Sequence, residues 1–356
     1  MKPESSISAR KIAAVYIGTV VGAGFASGQE VLQFFNAFGR EGILGCAVAT
    51  ALFFFFGYSI LLLGRSLNAR SHVDIVTFTN GRLIGTFIDL VITVFLFGGF
   101  AVMIAGAGAI SEEQFHISSL WGTVTMALAA FLTVYTGTKG VLNANSIAVP
   151  FLLVSVLFVF LYSLATNPIS DNDIHTSAQL TGAAPNWITA AINYASYNLV
   201  IAIAVLAPLG AKTGDKSMLL RGALMGSVGL GGGILGIYFC IFTNITSVSG
   251  VEIPMIEIVK GIFPVFRLLF AFVLLAAVYT TAVGNLYGFI RRIGVKTDSG
   301  LSRALIMAGV TAAALAVGQF GFSKMVKYLY PAIGYGGILM FIGILYARAA
   351  KRSYFK

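Results

Sequence analysis

Apolar residues run along this chain in blocks of about twenty, and polar residues gather between the blocks. Such blocks cover residues 10–38, 41–65, 83–110, 119–138, 140–165, 186–210, 217–243, 264–290, 301–320 and 325–347. About 20 apolar residues, at 1.5 Å each, span the hydrocarbon core of a bilayer as one helix. The pattern predicts an all-α integral membrane protein with ten transmembrane helices. They form a single transmembrane domain over residues 1–356. The longest polar stretch, Thr166 to Asn186, reads as a loop. Ser71 to Asn80 reads as a short interfacial helix.

Composition agrees with the pattern. Of 356 residues, 58% are apolar and 10% are charged, against about 25% charged in a soluble globular domain. The 41 glycines follow no collagen period. Two cysteines, Cys46 and Cys240, lie inside apolar blocks, so neither a disulfide scaffold nor a zinc ribbon is expected. The net charge of +10 does not point to a nucleic-acid partner, because the charges flank apolar blocks instead of clustering on one face.

The charges set an orientation instead. When the connections are assigned alternately to two sides, Arg40, Lys260, Arg267, Lys324 and Lys327 fall on one side. The other 18 of the 23 Lys and Arg, with Lys2, Lys139, Lys296 and Lys356 among them, fall on the opposite side. An error of one span in mid-chain would scramble that asymmetry. The positive-inside rule therefore predicts cytoplasmic termini and an external 166–185 connection, which carries Asp171 and Asp173. Lys2 to Lys11 followed by an apolar run resembles a signal peptide. Cleavage is not expected, because losing this span would break the even parity.

The first block contains Gly18-Thr-Val-Val-Gly-Ala-Gly-Phe-Ala-Ser-Gly-Gln-Glu30. Glycines lower the cost of non-helical dihedrals. An unwound turn inside a membrane leaves backbone groups that must line a cavity or bind something. Two half-helix ends would then aim opposite dipole ends at one place. The alternative is packing, since Gly18/Gly22 and Gly24/Gly28 are both small-xxx-small pairs. Gln29 and Glu30 favour a functional break, because a packing face needs neither an amide nor an acid.

The blocks divide five and five around the 166–185 loop, with repeat one over about 10–165 and repeat two over about 186–347. The halves start on opposite sides, so a repeat would be inverted. The sixth block opens the second half and reads Asn193-Tyr-Ala-Ser-Tyr-Asn198 at its centre. Interruptions in the first and sixth spans, at corresponding places, are a sequence pointer to a transporter site. A row of interhelical hydrogen bonds is the alternative for the sixth.

The Gly-Ala-Gly-Phe-Ala-Ser-Gly-Gln-Glu string resembles the YkvI-type bacterial membrane proteins over nearly the whole chain. The glycine-broken first helix and ten-span plan are similar, more distantly, to the LeuT-fold transporters of the amino acid-polyamine-organocation superfamily, including the neurotransmitter:sodium symporters. That resemblance implies a sodium ion as coupling ion, held by the carbonyls of Gly18 and Val21, the Ala277 carbonyl, and the Thr280 and Thr281 hydroxyls. Three- and four-residue spacings do share one helix face, and hard cations prefer oxygen ligands. Threonines in membrane helices also bond their own helix carbonyls. The third span lacks the tyrosine that contacts the substrate carboxylate in amino-acid members. The fifth span has only Lys139 at its start, so a lysine in place of sodium is not expected. No further sodium site is expected at the seventh span, which offers only Ser227.

Asp89, about 10 Å into the third span, is either a functional intramembrane acid or the partner of a nearby arginine. Glu30 and Asp89 are the proton-coupling candidates. No nucleophile–base–acid set is present, so no enzyme is expected. The sequence thus predicts a secondary active transporter of a small polar or zwitterionic solute in the bacterial cytoplasmic membrane, and the resemblance implies that it is sodium-coupled. The solute would bind at Gly22, Gly24, Ser27, Gly28, Gln29, Tyr194, Ser196, Tyr197 and Asn198. A channel or sensory membrane protein without coupled transport is the rival reading.

Overall fold

The computed structural model describes residues 7–136, 141–167, 169–293 and 300–355. Lys2, Lys139, Lys296 and Lys356 lie outside the described residues. No strand occurs among those described. The first apolar block forms three pieces, α1 (Ala9–Val20), α2 (Ala23–Ala26) and α3 (Gln29–Phe34). There follow α4 (Glu41–Ser66), α5 (His72–Phe115), α6 (Ser119–Thr136), α7 (Val141–Thr166) and α8 (Asp171–Ala178). The second half holds α9 (Trp187–Ala211), α10 (Lys216–Phe242), α11 (Ile245–Val248), α12 (Pro254–Lys260), α13 (Pro264–Arg292), α14 (Gly300–Gly318) and α15 (Phe322–Ala350). Among the described residues, α4, α5, α6, α9, α10, α13, α14 and α15 are the 8 helices long and apolar enough to cross a membrane.

Local signals start several of these helices. Asp215 caps α10 by accepting the Ser217 amide at 2.8 Å, and Asn186 caps α9 by accepting the Thr189 amide at 2.9 Å. At α5, Ser71 and Asp74 form a capping box. Gly81 breaks α5 at φ 76°, so residues 72–80 form a short separate helix, as the sequence predicts, before the long stretch from 82 to 115.

The helices pack in two groups. One comprises α1–α3, α4, α9 and α10; the other comprises α5, α6, α13 and α14. Helices α7 and α15 each touch both groups. Within the first group, α4 and α9 approach to backbone contact: a Cβ at Gly64 would strike Ala207, and one at Gly210 would strike Leu61. Without a hydrophobic drive between helices in lipid, such close approach supplies the dispersion contacts that hold them. Leu83, Leu301, Trp121 and Phe320 point outward and are exposed, whereas Glu30, Gln29, Asn193 and Ser196 are buried. That inversion of the soluble pattern suits an apolar solvent.

The sixth span differs from its prediction. Helix α9 is continuous from Trp187 to Ala211, not interrupted. It has no glycine before Gly210, so its backbone keeps regular helical bonds. Two of its polar residues instead reach a neighbour. Asn193 donates to the Pro331 carbonyl at 2.9 Å and Ser196 to the Gly334 carbonyl at 2.8 Å, both on α15. Gly334 and Gly337 make room, since a Cβ at either would strike Asn193 or Ser196.

Candidate functional site

The first helix is broken twice. Helix α1 ends at Val20, and the last bond of its ladder runs from the Val21 amide to Ile17, 2.8 Å. Gly22 is extended, so the carbonyls of Gly18 to Val21 have no i+4 amide to accept, and the first amides of α2 have no helical acceptor. Helix α2 then closes at Gly28, whose φ of 82° is the left-handed conformation that glycine adopts without strain. Ser27 ties this turn by donating to the Gly24 carbonyl at 2.8 Å and accepting the Gln29 amide at 3.3 Å. From outside the helix, the Met255 amide, in the first turn of α12, donates to the Ser27 carbonyl at 3.0 Å.

This broken segment faces a cavity of about 70 Å³ between the two helix groups. Thr19, Val20, Gly22, Ala23, Gly24 and Glu30 line it from the first span. Phe95 and Met103 come from α5, and Tyr197, Asn198 and Ile201 from α9. Thr281 and Asn285 of α13 and Tyr330 of α15 complete it. A space of that size holds about five water-sized groups.

Glu30 is the only charged residue among the described lining. It is 5% exposed. Its Oε2 accepts the Tyr197 hydroxyl. Its Oε1 lies where a side chain on Gly24 would begin, so Gly24 is glycine here because the carboxylate occupies its Cβ position. The Tyr194 hydroxyl faces the same carboxylate without a hydrogen bond of good geometry.

The structure therefore brings Gly22, Gly24, Tyr197, Asn198, Thr281 and Glu30 to one cavity. It places other residues behind it. Ser27 serves the turn. Gly28 abuts Met255 and Ile241. Gln29 is buried with its Oε1 unpartnered. Tyr194 packs among Phe34, Phe35 and Phe53, and Ser196 serves α15. Ala277 and Thr280 lie on the same helix as Thr281, which packs against α2. Both threonine hydroxyls donate to the Ala277 carbonyl, at 3.0 and 2.8 Å. A hydroxyl that donates still keeps two lone pairs for a cation.

Thr19, Val20, Phe95, Met103, Ile201, Asn285 and Tyr330 line the cavity without having been expected from the sequence. Asn285 carried a usable signal: with Ala277 and Thr281 it forms an i, i+4, i+8 row on one helix face. Tyr330 carried none, because nothing local distinguishes it from the other tyrosines.

Asp89 lies elsewhere. Its Oδ1 accepts from Arg292 at 2.7 Å and contacts His72 Nε2 at 2.8 Å, while Arg292 also reaches Thr93 at 3.0 Å. This cluster joins the short 72–80 helix, the long part of α5 and the end of α13. The Asp89 side chain is 40% exposed, so the pair is not sealed inside the bundle. Arg292→Ala should lower the melting temperature by only about 2 °C. A drop of ten degrees would mean that the cluster holds the bundle together.

No protein-family model matches the chain. Among solved structures, it is similar to MhsT in complex with L-phenylalanine, with TM-score 0.61 and 18% identity over 92% of this chain and 87% of that one. It is also similar to a Na⁺-coupled sialic acid symporter, with TM-score 0.60 and 12% identity over 95% of this chain and 79% of that one. A manganese transporter of Eremococcus coleocola gives TM-score 0.57 and 14% identity over 95% of this chain and 78% of that one. The fold is thus that of the LeuT-type secondary transporters. By sequence, the chain is 30% identical over 349 residues to the uncharacterized membrane protein YkvI of Bacillus subtilis (strain 168), which spans 98% of both chains. It is 26% identical over 334 residues to YyaD of the same organism, covering 92% of this chain and 94% of that one. The chain belongs to the YkvI family of membrane proteins.

Proposed function

We propose that this protein is a secondary active transporter of a small polar or zwitterionic solute, coupled to sodium and working by alternating access. One observation carries the reading: a doubly broken first helix turns unpaired backbone and a buried acid toward a cavity between two packed helix groups. In lipid, unpaired backbone is tolerated only where it lines a cavity or binds a ligand. The solute occupies the cavity at Gly22, Gly24, Tyr197 and Asn198. Sodium is held by the Gly18 and Val21 carbonyls, the Ala277 carbonyl, Thr280 and Thr281. The solved sialic acid symporter of the same fold is Na⁺-coupled, which supports that choice of ion.

In this reading the broken first span and α7 join the eight long helices to make ten. They form a 5+5 inverted repeat, about 10–165 and 186–347. The termini are cytoplasmic, the 166–185 connection is external, and the membrane is the bacterial cytoplasmic one. Protons are a second choice of coupling ion, and one observation favours them: Glu30 is a buried acid in no ion pair among the described residues. Asp89, paired with Arg292, lacks that support.

The test is accumulation. Proteoliposomes with an inward sodium gradient are offered labelled amino acids and small amines in turn. A solute should rise above its external concentration, and a sodium ionophore should collapse the gain. Equilibration without accumulation would remove the coupled-transport reading and favour a channel.

A further inference from the structure

We infer that the groove between the Gly81 break and the end of α15 is a binding site for one anionic phospholipid, whose phosphodiester headgroup is held by Lys351. This groove shares no lining residue with the central cavity. It measures about 490 Å³, within the roughly 300–1,000 Å³ of sites that take small organic ligands. Thr77, Thr79 and Asn80 of the short helix give it polar groups, and Ile84 and Ile342 give it apolar ones. Lys351 is the one charged residue of its described lining. Asn80 donates to the Leu339 carbonyl at 2.7 Å, and its amide group stands where a Cβ on Gly343 would be. The short helix is thereby locked onto α15, so the groove exists before any ligand enters.

Charge and apolar surface together select the ligand. Lys351 Nζ donates to the Phe78 carbonyl at 2.9 Å and lies 4.0 Å from the centre of the Phe78 ring. An ammonium has three donors, so two remain, and no carboxylate among the described residues pairs with it. Arg82 and Arg352, each one residue from a lining residue, are exposed. The nearby acids are engaged elsewhere: Asp74 accepts the Arg70 and Ser71 amides at the far end of the short helix, and Asp89 is paired with Arg292. The local field is positive and favours an anion. Apolar surface follows the groove along both helices, with Leu83, Phe87 and Leu90 exposed on α5 and Ile342 and Tyr346 exposed on α15. A soluble anion would leave those walls without a partner, whereas a lipid carries charge and chains in one molecule. In the orientation proposed above the groove opens to the cytoplasmic leaflet, where basic residues attract anionic headgroups.

The experiment counts bound lipid. Full-length protein is placed in nanodiscs holding equal amounts of phosphatidylglycerol and phosphatidylcholine with the same acyl chains. The lipid that stays bound on release is read by native mass spectrometry. Phosphatidylglycerol should be retained over phosphatidylcholine about fivefold, as a single copy per chain. Lys351→Gln should bring that ratio near one, and Lys351→Arg should keep it. Ile342→Trp fills the apolar wall while keeping the charge. It should lower the ratio too, and it decides the matter if Lys351→Gln fails to fold. Arg221→Gln, at an exposed arginine of α10 outside the groove, should leave the ratio unchanged. The inference is overturned if both lipids are retained equally, or if Lys351→Gln and Ile342→Trp keep the wild-type ratio. It is also overturned if Arg221→Gln lowers the ratio as much as Lys351→Gln does. Glycerol 3-phosphate, titrated into nanodiscs of phosphatidylcholine alone, is the soluble counterpart. A Lys351-dependent rise in melting temperature there would assign the site to soluble phosphates and overturn the lipid. No arm depends on transport, so failure of the transport reading leaves these outcomes unchanged.

Discussion

Gly24→Ala should reduce solute uptake at least about tenfold while the protein still inserts and purifies as a single species. The added methyl group would occupy the place of the Glu30 carboxylate. Methyl and carboxylate cannot share it, and the Gly24 backbone is fixed by α2 on one side and by the Ser27 bond on the other. The carboxylate must therefore shift, which disturbs the bond its other oxygen accepts from Tyr197. A hydrogen bond to a charged group is worth about 1.5–3 kcal/mol, which corresponds to about ten- to more than a hundredfold in affinity. The fold should survive, because alanine is a better helix former than glycine. Gly309→Ala on α14 is the control, since a Cβ there meets nothing within 4 Å. The measurement compares initial uptake rates at equal protein, with chromatographic profiles alongside. Full uptake by Gly24→Ala would place the solute away from Glu30.

The same geometry decides between the two readings of the glycine string. Gly18/Gly22 has the spacing of a close-packing pair, yet a Cβ at either position meets nothing within 4 Å. Gly24 is filled by a carboxylate, and Gly28 is held by its backbone conformation as well as by Met255. The string therefore works as a break and a cradle, and not as a helix-packing face.

Thr280→Val together with Thr281→Ala should raise the sodium concentration for half-maximal uptake at least about tenfold, with part of the maximal rate preserved. Each hydroxyl removed from a cation costs about 1 kcal/mol or more, by analogy with an unsatisfied buried polar group. Two such losses compound to about thirtyfold. The helix loses little, because the Ala277 carbonyl that both hydroxyls bond keeps its place in the α13 ladder, and valine keeps the shape of threonine. Sodium at this place would join the first span to α13, which belong to different helix groups. It would therefore favour one arrangement of those groups, and by linkage strengthen solute binding in that arrangement. The readout is uptake against sodium concentration at fixed pH and membrane potential. If uptake by the wild type ignores sodium and follows a pH gradient, the assignment fails and Glu30 becomes the proton carrier. If sodium dependence survives the double substitution unchanged, the ion lies elsewhere.

Much of the architecture was legible along the chain. The block at 41–65 is α4 at Glu41–Ser66, and the block at 264–290 is α13 at Pro264–Arg292. Hydropathy over twenty residues is a local quantity, so such ends can be read from neighbours in sequence. The break in the first span was legible for the same reason: Gly22 and Gly28 sit where the helix stops and restarts. The interruption expected in the sixth span is absent because the polar run Asn193 to Asn198 divides its work: Asn193 and Ser196 bond a neighbour, while Tyr197 and Asn198 line the cavity from a continuous helix. Only the position of α15, with the Pro331 and Gly334 carbonyls facing it, decides that division.

The sequence by itself determined the all-helical membrane class, the course of the spans, the break after Val20 and the presence of an acid just beyond it. Each follows from interactions within a few residues: apolar transfer, backbone freedom and capping. Tertiary structure alone decided that Glu30 meets Tyr197 and the bare face of Gly24, and that Asn285 and Tyr330 complete the cavity. It also decided that Asp89 is spent on Arg292. These meetings join positions up to 300 residues apart. They depend on how each helix is rotated and how closely it crosses its neighbours, which the packing of the whole bundle fixes and no local pattern records.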